Sequence, residues 1–168
     1  MKQKKFLFFL LFFFLFGVLG FARDFFFVNL NSIMFGLYYE RTASLPVPPS
    51  MEWAFHFKYE QLYYLKYLFT LVCTLLYYLL SVFALKVLVR DVRLLRYLQW
   101  TYALLFSVAV MTMLYGYLAK EKLNDDEYTL SRWLMGILQS PLICLLLLAS
   151  KELFKTVTNH DTKGQNHI

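Results

Sequence analysis

The chain has 168 residues, of which 60% are hydrophobic and 20% aromatic; its net charge is +6 and its mean hydropathy is +0.50. A soluble domain of this size carries roughly 45–50% apolar residues and has no single core able to hide the surplus, so a water-soluble globule is excluded and lipid is the expected solvent. The positive charge does not indicate nucleic acid, because the basic residues are separated by long apolar runs and form no continuous basic face.

Lys2, Lys4 and Lys5 precede Phe6–Ala22, a run without a charge. Seventeen residues make about 25 Å of helix, slightly less than the roughly 30 Å hydrocarbon core. A basic start, an apolar run and a small-residue ending at Gly20-Phe21-Ala22 also describe a cleavable signal. The Phe-rich run and the apolar continuation at Phe25–Leu30 favour a retained first span over residues 6–22. Arg23 and Asp24 read as its end, an ion pair at the membrane surface, with Arg23 as a candidate grip on a phosphate. Phe25–Tyr39, with Asn29, Asn31 and Ser32 inside it, reads as an interfacial segment.

Pro46, Pro48 and Pro49 mark Glu40–Ser50 as a loop. Met51–Lys66 reads as a juxtamembrane helix with Ser50 as N-cap and Glu52 in its first turn. On such a helix Glu52, His56 and Glu60 are spaced i, i+4, i+8, so one face presents a His and two carboxylates to a proton or a metal. They are the candidate catalytic residues, together with Arg23 and Asp24. Trp53 and Phe57 alternate with them, which equally suits an amphipathic helix with a solvated polar face. No metal site and no cofactor is predicted.

Residues 67–85 form the second predicted span, and Thr70, Thr74 and Ser81 are its polar members. Lys86, Arg90, Arg93 and Arg96 then crowd a short connection around the lone acid Asp91. They are predicted to anchor the topology and to meet lipid headgroups. Residues 94–118 form the third span and residues 133–149 the fourth, and Pro141 is expected to kink the fourth. Gln139-Ser140-Pro141 stands out there, because a kink frees backbone carbonyls at membrane depth. The acidic and basic connection Ala119–Arg132 reads as solvated, and residues 159–168 as a disordered tail. Cys73 and Cys144 both fall within spans and read as small apolar fillers.

The predicted fold is therefore all-α: a polytopic integral membrane protein of four transmembrane helices in a small bundle, or three if residues 1–22 are removed. Its basic residues concentrate at both termini and in Lys86–Arg96, so both termini are predicted on the cytoplasmic side of a bacterial inner membrane. No HExxH, GxSxG, P-loop or GxGxxG pattern occurs. Apart from Arg96 at the start of the third, spans two to four contain no Asp, Glu, Lys, Arg or His, which argues against proton-coupled transport by this chain alone.

A Phe/Leu-rich first helix followed by Arg23-Asp24-Phe25-Phe26 resembles small bacterial membrane proteins, some of which accompany exosortase-type sorting transpeptidases. The resemblance covers about the first forty residues and implies an accessory role, since the Cys, Arg and His of such an enzyme are not recognisable here. Three functions compete. The first is a non-catalytic accessory or assembly subunit, partnered by another membrane protein or by itself. The others are a membrane-embedded enzyme acting on a lipid or lipid-linked substrate at the outer interface, and an oligomeric small-solute permease or channel subunit.

Overall fold

The computed structural model describes residues 2–39, 47–89, 91–119 and 129–151. Arg90, the acidic connection 120–128, Pro46 and the predicted disordered tail lie outside these residues. The described residues are all helical or connecting, with no strand. Helix α1 is Lys2–Tyr38, α2 is Tyr59–Leu88, α3 is Val92–Ala119, α4 is Thr129–Leu138 and α5 is Leu142–Lys151; a 3-10 helix, Pro49–His56, precedes α2. Three of the described helices are long and apolar enough to cross a membrane, and α4 with α5, bent by 59° at the break between them, makes a fourth if the pair is taken as one span.

The first helix departs from expectation. Arg23 and Asp24 do not end it, and the segment read as interfacial continues it without interruption to Tyr38. The reason is local. Asn29 Nδ2 donates to the Phe25 carbonyl at 2.7 Å and Ser32 Oγ to that of Val28 at 3.0 Å, so these polar side chains fold back on their own helix. At 37 residues α1 is about 55 Å long, well beyond the hydrocarbon thickness.

Helices α1 and α2 pack antiparallel. The rings of Phe26 and Phe69 stack at 3.7 Å, Phe16 and Tyr77 at 6.0 Å, and Tyr38 meets Tyr59 at 5.9 Å. Gly20 lies where the helices come close: a Cβ there would stand 3.2 Å from the Tyr77 hydroxyl. At one end of the pair a small core forms from Leu30, Ile33 and Met34 of α1, Met51 and Ala54 of the 3-10 helix, and Leu62 of α2. The other core, around Phe16, Tyr77, Leu98, Tyr102, Leu138 and Cys144, joins α1, α2, α3 and the α4–α5 pair. Only 6% of the most apolar stretch of α1 is buried, against 33% for α2, so α1 is peripheral and α2 is central.

The approach to α2 also differs from expectation. Pro48, not Ser50, caps the segment, with Pro49 as first residue of a 3-10 helix whose fixed φ suits that place. Phe57 and Lys58 are extended, and α2 begins only at Tyr59, where the Lys58 backbone N–H donates to Gln61 Oε1 at 3.0 Å. The α2–α3 turn is as short as its charge pattern implied. Asp91 Oδ1 accepts from the Arg93 backbone N–H at 3.0 Å and so caps α3. Its other oxygen lies 3.5 Å from Lys151 Nζ, tying the end of α5 to the turn. The backbone hydrogen bond and the nearby Lys151 ammonium hold the Asp91 carboxyl below the usual carboxylate range.

Candidate functional site

The polar centre of the protein is built around the break in the fourth span. Pro141 has no N–H to give the preceding turn, and Ser140 takes over as N-cap of α5: its Oγ accepts from the Leu142 N–H at 3.4 Å while donating to the Ile137 carbonyl at 2.7 Å. The new helix starts with Leu145 N–H on the Pro141 carbonyl at 2.9 Å. The kink expected at Pro141 is thus present, and it leaves the carbonyls of Leu138 and Gln139 without helical donors.

Other helices supply the donors. Tyr102 of α3 gives its hydroxyl proton to the Leu138 carbonyl at 3.2 Å. Arg23 of α1 gives an Nη1 N–H to the Gln139 carbonyl at 2.7 Å. The Gln139 side chain, 5% exposed, points into α2, where Nε2 donates to the Thr70 carbonyl at 2.9 Å and to Thr74 Oγ1 at 3.1 Å. Thr74 in turn donates to the Thr70 carbonyl at 2.8 Å. Helices α1, α2 and α3 therefore all meet the α4–α5 break at residues 138–140, where buried polar groups left unpaired would each cost a large desolvation penalty.

Arg23 is also bound to its neighbour. Its Nε and Nη2 donate to Asp24 Oδ1 at 2.9 and 2.6 Å, and the Arg23 side chain is 23% exposed against 65% for Asp24. The depth of this pair follows from Gln139. Thr70 and Thr74 are four and eight residues beyond Lys66, the charge that bounds the apolar part of α2, so Arg23 and Asp24 lie about 6–12 Å inside that level. The pair expected to end the first helix lies within it instead, level with Thr70 and Thr74 of α2.

Glu52, His56 and Glu60 do not form the expected face. Glu52 and His56 lie on the 3-10 helix, where residues four apart point about 120° away from each other. Glu60 lies beyond the extended Phe57–Lys58 step, in the first turn of α2. Among the described residues the His56 ring meets the Trp53 carbonyl, Nδ1 to oxygen 3.2 Å. No three His, Cys, Asp or Glu side chains among the described residues are grouped to hold a metal ion. Lys86, Arg93 and Arg96 are exposed around the α2–α3 turn, and Arg96 borders an open depression with Gln99, Trp100 and Ala103. A groove of about 390 Å³ between α1 and α2 is walled by aliphatic and aromatic side chains such as Val18, Leu79 and Phe83. Cys73 and Cys144 are buried free thiols, in the filler role expected of them.

Tyr102 was not singled out by sequence reasoning, nor was the joining of Arg23 to Gln139. Gln139-Ser140-Pro141 was the usable signal: a proline break in an apolar span announces free carbonyls, and the donors had to come from other spans. No known protein family, curated protein or solved structure matches this chain.

Proposed function

We propose that the chain is a non-catalytic helical subunit that assembles with a larger membrane protein. The observation that carries this reading is where the Arg23 hydrogen bonds go. The guanidinium within the apolar region is bonded to the neighbouring carboxylate and to a main-chain carbonyl of the fourth span, so it closes the bundle instead of facing a substrate. Gln139 is committed in the same way, to Thr70 and Thr74. Polar groups that satisfy one another across all spans make a rigid scaffold.

In this reading the protein resides in a bacterial inner membrane. The end bearing Lys86, Arg93 and Arg96 faces the cytoplasm with both termini, since basic residues near span ends are retained on that side. The 3-10 helix and its core then face outward. The resemblance of the first forty residues to small proteins that accompany exosortase-type sorting transpeptidases points to a transpeptidase of that kind as the partner.

The test is isolation of the tagged full-length chain from its native membranes after brief cross-linking. A larger membrane protein recovered in fixed proportion is the expected result. Recovery of this chain alone, as monomer or self-adduct, would sink the assembly role. Loss of an enzymatic phenotype in His56→Ala with the fold intact would favour the lipid-enzyme alternative.

A further inference from the structure

Helix α1 carries a second stripe, on the side turned away from α2. Phe14, Phe21, Val28 and Phe35 recur every seven residues and are 66%, 76%, 63% and 57% exposed. Three residues after each of the first three come Gly17, Asp24 and Asn31, also exposed. This is the 3-4 spacing of a coiled-coil seam, sustained over four turns and more, and nothing among the described residues covers it.

Lipid alone is a poor cover for this stripe. Asp24 Oδ1 is bound by Arg23, but Oδ2 has no hydrogen bond among the described residues, and Asp24 lies about 6–12 Å below the level of Lys66. Acyl chains offer it no donor. Gly17 is equally unexplained from within: a Cβ there would meet nothing within 4 Å, so its small size serves no internal contact. A glycine on an exposed seam lets a second helix approach closely.

We propose that this face of α1 seats the same face of a second copy of the chain, the two helices running parallel. Copies inserted in one orientation present their α1 helices in parallel, so each seam position meets itself across a two-fold axis. The residues suit that symmetry. Asn31, whose amide makes no hydrogen bond among the described residues, is both donor and acceptor and pairs with its own copy. Arg23 and Asp24 form a neutral pair in each chain. Three of the five guanidinium N–H groups are engaged, so two remain for the partner's free carboxylate oxygen, and the reciprocal contact forms at the same time. A larger partner lacking these groups would not match the seam at each level. Self-pairing does not depend on the assembly role proposed above.

Disulfide cross-linking of single-cysteine additions in membranes tests this, with the unaltered chain, whose two thiols are buried, as the blank. Phe21→Cys and Val28→Cys should each give covalent dimer on mild oxidation. Phe25→Cys, off the seam, and Trp100→Cys, on the exposed face of α3, should give little. Adding Asp24→Ala to Phe21→Cys should lower the dimer yield about five-fold. Circular dichroism of each variant, with helix content unchanged, keeps a folding failure apart from lost pairing. Equal cross-linking at all four positions, dimer favoured at Trp100, or no dimer at Phe21 and Val28 in folded protein would each overturn the proposal. So would cross-linking of Phe21→Cys only to another protein, an outcome that leaves the assembly role standing.

Discussion

The Arg23 guanidinium and the main-chain carbonyl of Gln139 are 2.7 Å apart, across 116 positions of sequence. No side-chain substitution at position 139 removes that carbonyl, so the bond is probed from the arginine. Arg23→Met leaves the Asp24 carboxylate unpaired and the carbonyl without its donor. A loss of about 2–4 kcal/mol is expected. Arg23→Met with Asp24→Asn should recover part of it, because the stranded charge is gone. Unfolding in detergent micelles measures both, and an unshifted midpoint for the single variant would contradict the role given to Arg23.

Gln139 itself is tested by Gln139→Leu, which removes both donors to α2 while keeping the volume. The expected loss is about 1–2 kcal/mol, and Tyr102→Phe should cost about 0.5–1.5 kcal/mol. Both act on the same break, so the double variant should fall short of the sum. Strict additivity would indicate two separate contacts instead of one polar junction.

Glycines separate close approach from open space. Gly20→Leu must push against the Tyr77 hydroxyl, which is itself almost fully buried, and should destabilise by about 1–3 kcal/mol. Gly136→Ala meets nothing within 4 Å and should be neutral or stabilising by up to about 1 kcal/mol, through helix propensity. Reversal of that order would contradict the α1–α2 packing.

Asp91 sets a pH dependence. Its carboxyl is held below the usual carboxylate range in the folded protein, first by the Arg93 N–H and further by Lys151. A depressed folded value means that its stabilising effect is complete above the ordinary aspartate value, near 3.9, and is lost as the pH falls below it. Asp91→Asn should therefore lower the melting temperature at pH 7, with the gap to the unaltered chain closing in acid. A gap unchanged from pH 7 to pH 2 would rule out the ionised cap.

Hydropathy made the all-α fold and the second and third spans legible, because long uncharged runs have few other uses. Pro141 made the kink legible too. Arg23-Asp24 misled for a physical reason: a charge pair reads as a boundary when its partner lies far along the chain. Gln139 supplies that partner, and no local pattern announces the pairing. Glu52, His56 and Glu60 misled differently. Their regular spacing assumes an α-helix, and the Phe57–Lys58 step shows that prolines upstream and a late helix start change the geometry on which the spacing depends.

The broken fourth span also sets an order of assembly. Its two halves, Leu130–Leu138 and Leu142–Lys151, are each far too short to cross a bilayer, and the break between them exposes carbonyls that lipid cannot satisfy. The groups that satisfy them, on Arg23 and Tyr102, and the acceptors for Gln139 on Thr70 and Thr74, all lie earlier in the chain. Synthesis from the N-terminus therefore makes every receiving group before α4 and α5 emerge. The bent α4–α5 pair thus acts as a clasp, closing on donors and acceptors that the three earlier helices already carry.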